Sequence, residues 1–300
     1  MNQLKYRISY LCLIFLLFCN LALSQNALVF QTDFGLEEPA VASMKGVAYS
    51  VSPDIHMFDI THEIPQFNIW EAAYRLNQAV NYWPKGTVFV SVVDPGVGTK
   101  RKSIVLRTKS GHFFVSPDNG SLTLVAESLG ISEVREINEN TNRLKGSERS
   151  HTFHGRDVYA YTGARLASGV INFDQVGKLL NPSVMKIKYK NAKLINKKIS
   201  GNIPILDAHY GNIWTNISID LFDKLKLKIN EMVWVKIRSN DQELFSKRVK
   251  YASSFGGVDV GEPVIYINDI LNIGLAINQE SMAEKYNINP GPGTVIEIWK

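Results

Sequence analysis

The chain has few cysteines, no strong charge bias and only one long hydrophobic run. Cys12 and Cys19 are its only cysteines, and both lie among the first 24 of its 300 residues. The rest of the chain therefore has no disulfide, no thiol nucleophile and no cysteine-ligated metal. The net charge of +5 comes from scattered residues rather than from a basic stripe, so no nucleic-acid partner is expected. A hydrophobic content of 45% excludes wholesale disorder.

The first 24 residues have the pattern of a secretory signal. Two basic residues precede an unbroken apolar run over 10–18, and small residues lead to a cleavage site before Gln25. The run is too short to span a bilayer comfortably. We expect residues 1–24 to be a cleaved signal peptide and the mature protein to be periplasmic or secreted, with no integral membrane domain. The alternatives are an uncleaved segment that tethers the protein to a membrane, or lipidation at Cys19.

Strand-like and helix-like segments alternate over residues 25–187. The apolar spacing predicts strands over 27–31, 55–60 and 87–93, and helices over 41–51, near 69–80 and near 154–167. Alternating β and α units are typical of a mostly parallel sheet that helices cover. We therefore expect an α/β N-terminal domain over 25–187.

The pattern changes after residue 187. The lysine-rich stretch 186–198 has no clear helical face and is interpreted as a strand plus an exposed linker, and we place the linker at 188–199. Over 200–300, short apolar runs alternate with glycine- and proline-containing turns. Such spacing is typical of a small barrel or sandwich, and we expect a small C-terminal β-barrel domain.

Polar clusters follow three of the predicted strands, at 32–33, 59–62 and 94–98. In open α/β sheets, ligands bind outside the carboxyl ends of the strands. One aspartate at such a place often only caps a helix, but three clusters at one edge favour a binding site. Asp94 and Arg101 flank a glycine-rich turn. They could form an ordinary salt bridge or a pair that orients a polar group.

The richest polar cluster spans residues 151–157. His154 could accept a proton near neutral pH, or it could cap a helix or make a structural hydrogen bond. No third ligand lies near His151 and His154, so a metal site is not expected. No phosphate-binding loop, Rossmann fingerprint or nucleophile elbow is present. A second cluster, over 207–216, mixes polar and aromatic residues, and a hairpin turn explains only part of it.

Six motifs occur in order along the chain: TDFG at 32–35, DITH at 59–62, DPGVG at 94–98, PDNG at 117–120, TFHGRD at 152–157 and GNIWTN at 211–216. With these motifs the chain resembles the S-adenosyl-L-methionine (SAM) hydroxide adenosyltransferases, or SAM hydrolases, which are relatives of fluorinase and chlorinase. The resemblance runs from about residue 27 to the C-terminus. It implies an α/β domain followed by a β-barrel, hydrolysis of SAM to adenosine and methionine, and no cofactor or metal. It also implies a homotrimer whose active sites lie between the N-terminal domain of one subunit and the C-terminal domain of its neighbour.

The resemblance also implies residue roles. Asp94, Arg101 and His154 match the set that orients and activates the water or hydroxide attacking C5′ of the ribose. The remaining residues match positions that bind the substrate: Asp33 at the ribose hydroxyls, Phe67 and Phe153 as aromatic walls, and Asp207, Tyr210, Asn212 and Trp214 around the methionine and nucleoside.

One segment departs from the family pattern, and two functions besides SAM hydrolysis stay open. Residues 268–272 read Asn-Asp-Ile-Leu-Asn where relatives hold the substrate carboxylate, so Asp269 brings a negative charge to that position. A different substrate, or an exported protein that binds an adenosyl compound without turnover, would fit this change. The second of these alternatives is halide-dependent adenosyl transfer. Asp94 and the His154-Gly155 pair stand where halogenases carry other residues, which favours hydrolysis.

Overall fold

The computed structural model describes residues 26–240 and 242–300, which fall into two compact units. The first unit ends at Lys186, and the second spans Ile187–Lys300. The expected signal peptide lies outside the described residues, so its cleavage and the export of the protein stay predictions. Within the described part, no helix combines the length and hydrophobicity needed to cross a membrane.

The first unit contains one seven-stranded sheet in the order β2-β1-β3-β5-β4-β6-β7. Its strands are β1 Leu28–Thr32, β2 Met57–Thr61, β3 Val88–Val92, β4 Ser103–Thr108, β5 Phe113–Pro117, β6 Ile131–Glu136 and β7 Leu179–Leu180. Strands β2, β1, β3 and β5 pair in parallel, whereas β4 pairs antiparallel with both β5 and β6, and β6 with β7. The sheet is therefore mixed, and the expectation of a mostly parallel sheet is not confirmed. The physical reason is the short β4–β5 connection, since parallel neighbours need a crossover of about a dozen residues or more.

Helices cover both faces of this sheet. They are α1 Ala40–Val51, α2 Ile69–Val80, α3 Thr123–Leu129, the single turn α4 Glu139–Asn142, and a π-helical turn Gly155–Ala160 that continues into α5 Tyr161–Ala167, with a 3₁₀ turn at Phe173–Val176. Alternate side chains of β1 point to opposite faces. Leu28 and Phe30 pack in the core with α1 and α5, and Val29 packs in the core with α2 and α3. The first unit is thus a three-layer α/β unit.

The second unit has nine strands in the order β10-β11-β15-β14-β13-β12-β16-β9-β8. They are β8 Lys193–Ile195, β9 Lys198–Ile203, β10 Ile205–Asp207, β11 Asn212–Ser218, β12 Met232–Ser239, β13 Gln242–Tyr251, β14 Pro263–Ile267, β15 Asn272–Ile277 and β16 Gly291–Trp299, with α6 at Ile219–Phe222, α7 at Met282–Lys285 and 3₁₀ turns at Asp223–Leu225 and Phe255–Gly257. Only β13 and β14 pair in parallel among the described strands of this unit.

Most strands of this sheet contribute to one large hydrophobic core, and a smaller cluster around Val264, Tyr266 and Ala276 packs separately. Ile199 from β9, Ile213 from β11 and Val235 from β12 belong to the same buried cluster, so the sheet curves around them. The end strands β8 and β10 do not pair with each other in the described residues, and the expected closed barrel is therefore not confirmed. The stretch 188–199, interpreted from sequence as a linker with a strand close by, contains β8 and the start of β9 and belongs to the second unit.

The packing of α5 on the sheet leads to a stability prediction. A Cβ atom at Gly163 would lie 2.5 Å from Val90 Cγ2 and 3.3 Å from Leu28 Cδ1. Gly163→Ala should therefore lower the free energy of unfolding by about 1–3 kcal/mol, because the cost of overpacking exceeds the gain in helix propensity. Urea denaturation measures this change.

Gly46 in α1 provides the matched control, since a Cβ atom added there would have no heavy atom of the described residues within 4 Å beyond its own helix backbone and chain neighbours. Gly46→Ala should stabilise the protein by about 0.5–1 kcal/mol through helix propensity alone. Equal effects of the two substitutions would show that α5 does not pack this closely on β1 and β3.

Candidate active site

Asp94 and Arg101 form a bidentate ion pair after strand β3. Arg101 Nε lies 3.0 Å from both carboxylate oxygens of Asp94, and Nη2 also donates to Oδ2. The two side chains are 5% and 10% exposed, respectively. The connecting turn passes Gly98, whose φ of +75° favours glycine. A bidentate pair of this kind holds both planes in a fixed relative orientation.

His154 extends this pair at the start of the π-helical turn. Its Nδ1 lies 3.0 Å from Arg101 Nη2, and the residue is only 5% exposed. Arg101 Nη1 donates to Ser103 Oγ at 3.0 Å, and Ser103 Oγ lies 3.0 Å from Tyr159 Oη. Burial raises the pKa of Tyr159 well above its usual value, so the phenol stays protonated. Arg101 is thus held by a carboxylate, a hydroxyl and an imidazole at once.

The electrostatic environment of His154 opposes its protonation. Burial is the largest cause that lowers the pKa of His154, and the charges of Arg101 and Arg143 lower it further. Glu139 and Asp94 act in the opposite direction without reversing the shift. Burial and the two arginines therefore favour the neutral form of the imidazole.

A cavity of about 280 Å³ opens beside this set. The cavity is lined by Asp33, Phe34, Glu38, Ala40, Gln66, Phe67, Val92, Asp94, Val97, Thr152, Phe153, His154 and Gly155. Five residues singled out in the sequence analysis thus share one cavity. The sixth, Arg101, contacts two of them, while the roles assigned to all six stay predictions.

Asp33 and Phe67 are joined at one side of this cavity. The backbone N–H of Phe67 donates to Asp33 Oδ2 at 2.9 Å, and Phe67 has a positive φ of 65°. Burial raises the pKa of the Asp33 carboxyl, and the hydrogen bond from Phe67 offsets part of that effect. The Phe67 side chain is 65% exposed. A half-buried carboxylate beside an exposed aromatic ring can accept hydrogen bonds from a diol next to a planar base.

Phe34 and Phe153 both line the cavity and contact each other, and Gly155 leaves them room. Their ring centroids lie 5.8 Å apart in an edge-to-face arrangement. A Cβ atom at Gly155 would lie 3.1 Å from two carbons of the Phe34 ring. Gly155 thus sets how closely the aromatic wall approaches His154.

Two sequence motifs support the site without lining it. In the PDNG motif, Asn119 Nδ2 donates to the carbonyl of Val93 at 2.8 Å and so holds the backbone next to Asp94. In the DITH motif, His62 Nδ1 lies 2.8 Å from Thr32 Oγ1, directly before Asp33. Both motifs position the strand ends that carry the carboxylates.

The remaining predicted residues lie in the second unit. Asp207, Tyr210 and Asn212 line a separate cavity of about 690 Å³, and Asn212 Nδ2 donates to Asp207 Oδ2 at 3.1 Å. Trp214 does not line that cavity: it is buried, and its Nε1 donates to Tyr266 Oη at 3.1 Å. Burial raises the pKa of Tyr266 to about 12, so this hydroxyl also stays protonated.

Two further residues of the first unit contact the site and were not found from sequence. Arg143 Nη2 lies 3.0 Å from His154 Nε2, and Glu139 accepts hydrogen bonds from Arg143. The spacing of four residues between Glu139 and Arg143 was visible, but nothing in the sequence placed the pair beside His154. Within residues 26–240 and 242–300, no group of three or more potential ligands is arranged to hold a metal. The expectation that no cofactor is needed stays a prediction.

Carboxylates at strand ends and an imidazole at the start of a helical turn, around a cavity walled by aromatic rings, are typical of an enzyme site for a small molecule. A family model described as the SAM hydroxide adenosyltransferase N-terminal domain matches residues 28–177, and one for the C-terminal domain of that family matches residues 201–294. The chain therefore belongs to the SAM hydroxide adenosyltransferase family, which confirms the resemblance found in the sequence.

Individual relatives cover most of the chain. The (R)-S-adenosyl-L-methionine hydrolase of Methanocaldococcus jannaschii is 42% identical over 211 residues, covering 69% of this chain and 72% of that protein. The fluorinase of an Actinoplanes species is 28% identical over 288 residues, covering 88% of this chain and 95% of that protein. A crystal structure of an uncharacterized conserved protein from Thermotoga maritima matches with a TM-score of 0.83 and 37% identity, over 91% of this chain and all of that one.

The buried ion pair leads to the second prediction. Lysine cannot make a bidentate contact with Asp94 while it also reaches Ser103 and His154. Arg101→Lys should therefore lower the free energy of unfolding by about 2–4 kcal/mol, because it leaves the buried carboxylate of Asp94 incompletely paired.

Arg107→Lys is the matched control, because Arg107 pairs with Glu133 at a site where the two side chains are 39% and 31% exposed. Its effect in the same urea titration should stay below about 1 kcal/mol. A loss at Arg101 no larger than that at Arg107 would contradict the assignment of a tightly held buried pair.

Proposed function

We propose that this protein hydrolyses SAM to adenosine and L-methionine. The observation that carries the proposal is the Asp94–Arg101–His154 set beside the cavity of about 280 Å³ that Asp33 lines. Membership of the family and the hydrolase named among its relatives support it.

In the proposed reaction, a water oxygen attacks C5′ of the ribose in line with the sulfonium. The C5′–O bond forms and the C5′–S bond breaks. The bonding electron pair goes to sulfur, which leaves as the neutral thioether of methionine. The water releases one proton, which goes to the Asp94 carboxylate or to solvent. Because the leaving group departs neutral, the task of the protein is to align the water and limit its competing hydration.

The residues of the cavity suit the parts of this substrate. Asp33 is an acceptor-only carboxylate when ionised, so it can accept hydrogen bonds from both ribose hydroxyls. Phe67 offers an exposed ring to the base. The Asp94–Arg101 pair can hold the water through its remaining acceptor positions, and its orientation is fixed by Ser103 and His154.

Two other functions are weighed against hydrolysis. Halide transfer would bring a desolvated anion next to the Asp94 carboxylate, which is unfavourable. Binding without turnover would leave the Asp94–Arg101–His154 arrangement without a use. The altered stretch 268–272 leaves one further alternative, which is a substrate whose amino-acid end differs from that of SAM.

We also propose that the protein is exported and assembles as a homotrimer with active sites completed by a neighbouring copy. The N-terminal sequence pattern supports export, and the resemblance to the family supports the trimer. Light scattering of the purified protein tests the trimer.

The decisive experiment incubates protein that begins at Gln25 with SAM in ¹⁸O-labelled water and resolves the products by mass. We expect adenosine that carries the label and methionine that does not, since attack at C5′ places the water oxygen in the 5′-hydroxyl. Asp94→Asn should lower kcat/KM by about 100-fold or more, because it removes the charge that holds the water. Asp54→Asn, at an exposed aspartate of the same unit, should leave it unchanged.

Other outcomes would replace the proposal. A 5′-halo-adenosine that forms only with added chloride or fluoride would indicate halide transfer. Retained SAM binding without any product would indicate a binding protein. Turnover of a different sulfonium nucleoside in preference to SAM would redefine the substrate.

A further inference from the structure

Both ring nitrogens of His154 face an arginine. Nδ1 lies 3.0 Å from Arg101 Nη2, and Nε2 lies 3.0 Å from Arg143 Nη2. The residue is 5% exposed, so water does not replace either partner freely. The imidazole is therefore placed between two fixed cations.

The chemistry of the two partners restricts the charge of the ring. A guanidinium group donates hydrogen bonds and accepts none. A neutral imidazole has one acceptor nitrogen, so it can satisfy one arginine, whereas an imidazolium has two N–H groups and can satisfy neither. The neutral ring thus has one attractive contact and one N–H that faces a donor, and protonation would convert the attractive contact into a second repulsive one.

Arg143 is itself held in place by groups that do not line the cavity. Its Nε lies 3.1 Å and its Nη2 2.5 Å from Glu139 Oε2, four residues earlier at the start of α4. Its Nη1 donates to the carbonyl of Ser150 at 3.2 Å. The Arg143 side chain is only 6% exposed, against 38% for Glu139. The cation therefore cannot turn away from the imidazole without losing these bonds.

We propose that Arg143, held by Glu139, is a positioning residue that adds to burial and Arg101 in opposing protonation of His154. His154 then serves as a partner that orients Arg101 and does not take the proton of the attacking water. The consequence for catalysis rests on the proposed function, whereas the charge state of His154 does not. The proton of the water therefore leaves towards Asp94 or solvent.

The charged and titratable groups around His154 come from three parts of the unit. Arg101 and Asp94 come from the β3–β4 connection, and Arg143 and Glu139 from α4 and the residue after it. The His151 ring, on the approach to the π-helical turn, has its centroid 6.4 Å away, as does the Tyr159 ring within that turn. The two arginines oppose protonation and the two carboxylates favour it. Removing Arg143 and removing Glu139 should therefore have opposite effects.

The test follows the titration of His154 by NMR of the protein labelled at histidine Cε1, with the resonance assigned from a His154→Asn variant. In Arg143→Gln the midpoint should rise by about one pH unit, as expected for removal of a charge within hydrogen-bond distance. In Glu139→Gln the midpoint should fall. Arg143→Lys keeps the charge and should keep the midpoint near that of the unchanged protein.

Arg149→Gln is the matched control, since Arg149 is exposed and makes no contact with His154 that the structure describes. In Arg149→Gln the midpoint of the His154 titration should stay at that of the unchanged protein. Under the proposal, protonation of His154 lowers kcat. The pH at which kcat falls to half on the acid side should therefore shift upward in Arg143→Gln, together with the NMR midpoint.

An unchanged or lowered midpoint in Arg143→Gln would overturn the proposal, and so would shifts of the same sign in Arg143→Gln and Glu139→Gln. If Arg143→Gln does not fold, a rise of the midpoint in Glu139→Gln alone would overturn it. Because the titration needs no substrate, it would test the charge state of His154 even in a protein that did not hydrolyse SAM. Shifted midpoints without any turnover would leave the charge state established and the hydrolase function refuted.

Discussion

The ion pair between Asp94 and Arg101 is the interaction on which the rest of the candidate site depends. A carboxylate and a guanidinium that are both nearly buried are tolerable only when their hydrogen bonds are satisfied. Ser103 and His154 take up the other donors of Arg101, and each comes from a different element of the first unit. The pair therefore fixes how β3, β4 and the π-helical turn meet.

Two ion pairs flank His154, one on each side of its ring. From Asp94 the chain of contacts runs through Arg101 and neutral His154 to Arg143, and then to Glu139. Each cation has a carboxylate of its own, so the imidazole between them does not need to become charged. An active site built in this way presents the cavity with a fixed carboxylate at Asp94, while the compensating arginines stay behind it.

The fold could be predicted from the sequence in outline but not in its strand directions. Apolar periodicity indicated an α/β unit followed by a unit of short strands, and the described residues fall into two such units. The sheet is mixed because the short connection between β4 and β5 turns the chain back on itself, which the strand pattern alone did not reveal. In the second unit the strands were recognisable, but closure into a barrel depends on whether β8 and β10 meet, and in the described residues they do not pair.

For the site, the sequence by itself determined which side chains follow the strands, and hence that Asp33 and Asp94 would share an edge of the sheet. The motifs also identified the family, and the resemblance to it singled out Arg101 and His154. Only the tertiary structure decided that Arg143, eleven residues from His154, reaches the far nitrogen of its ring. Strand ends converge by a general rule of sheet geometry, whereas the path of the loop after α4 depends on packing across the whole unit.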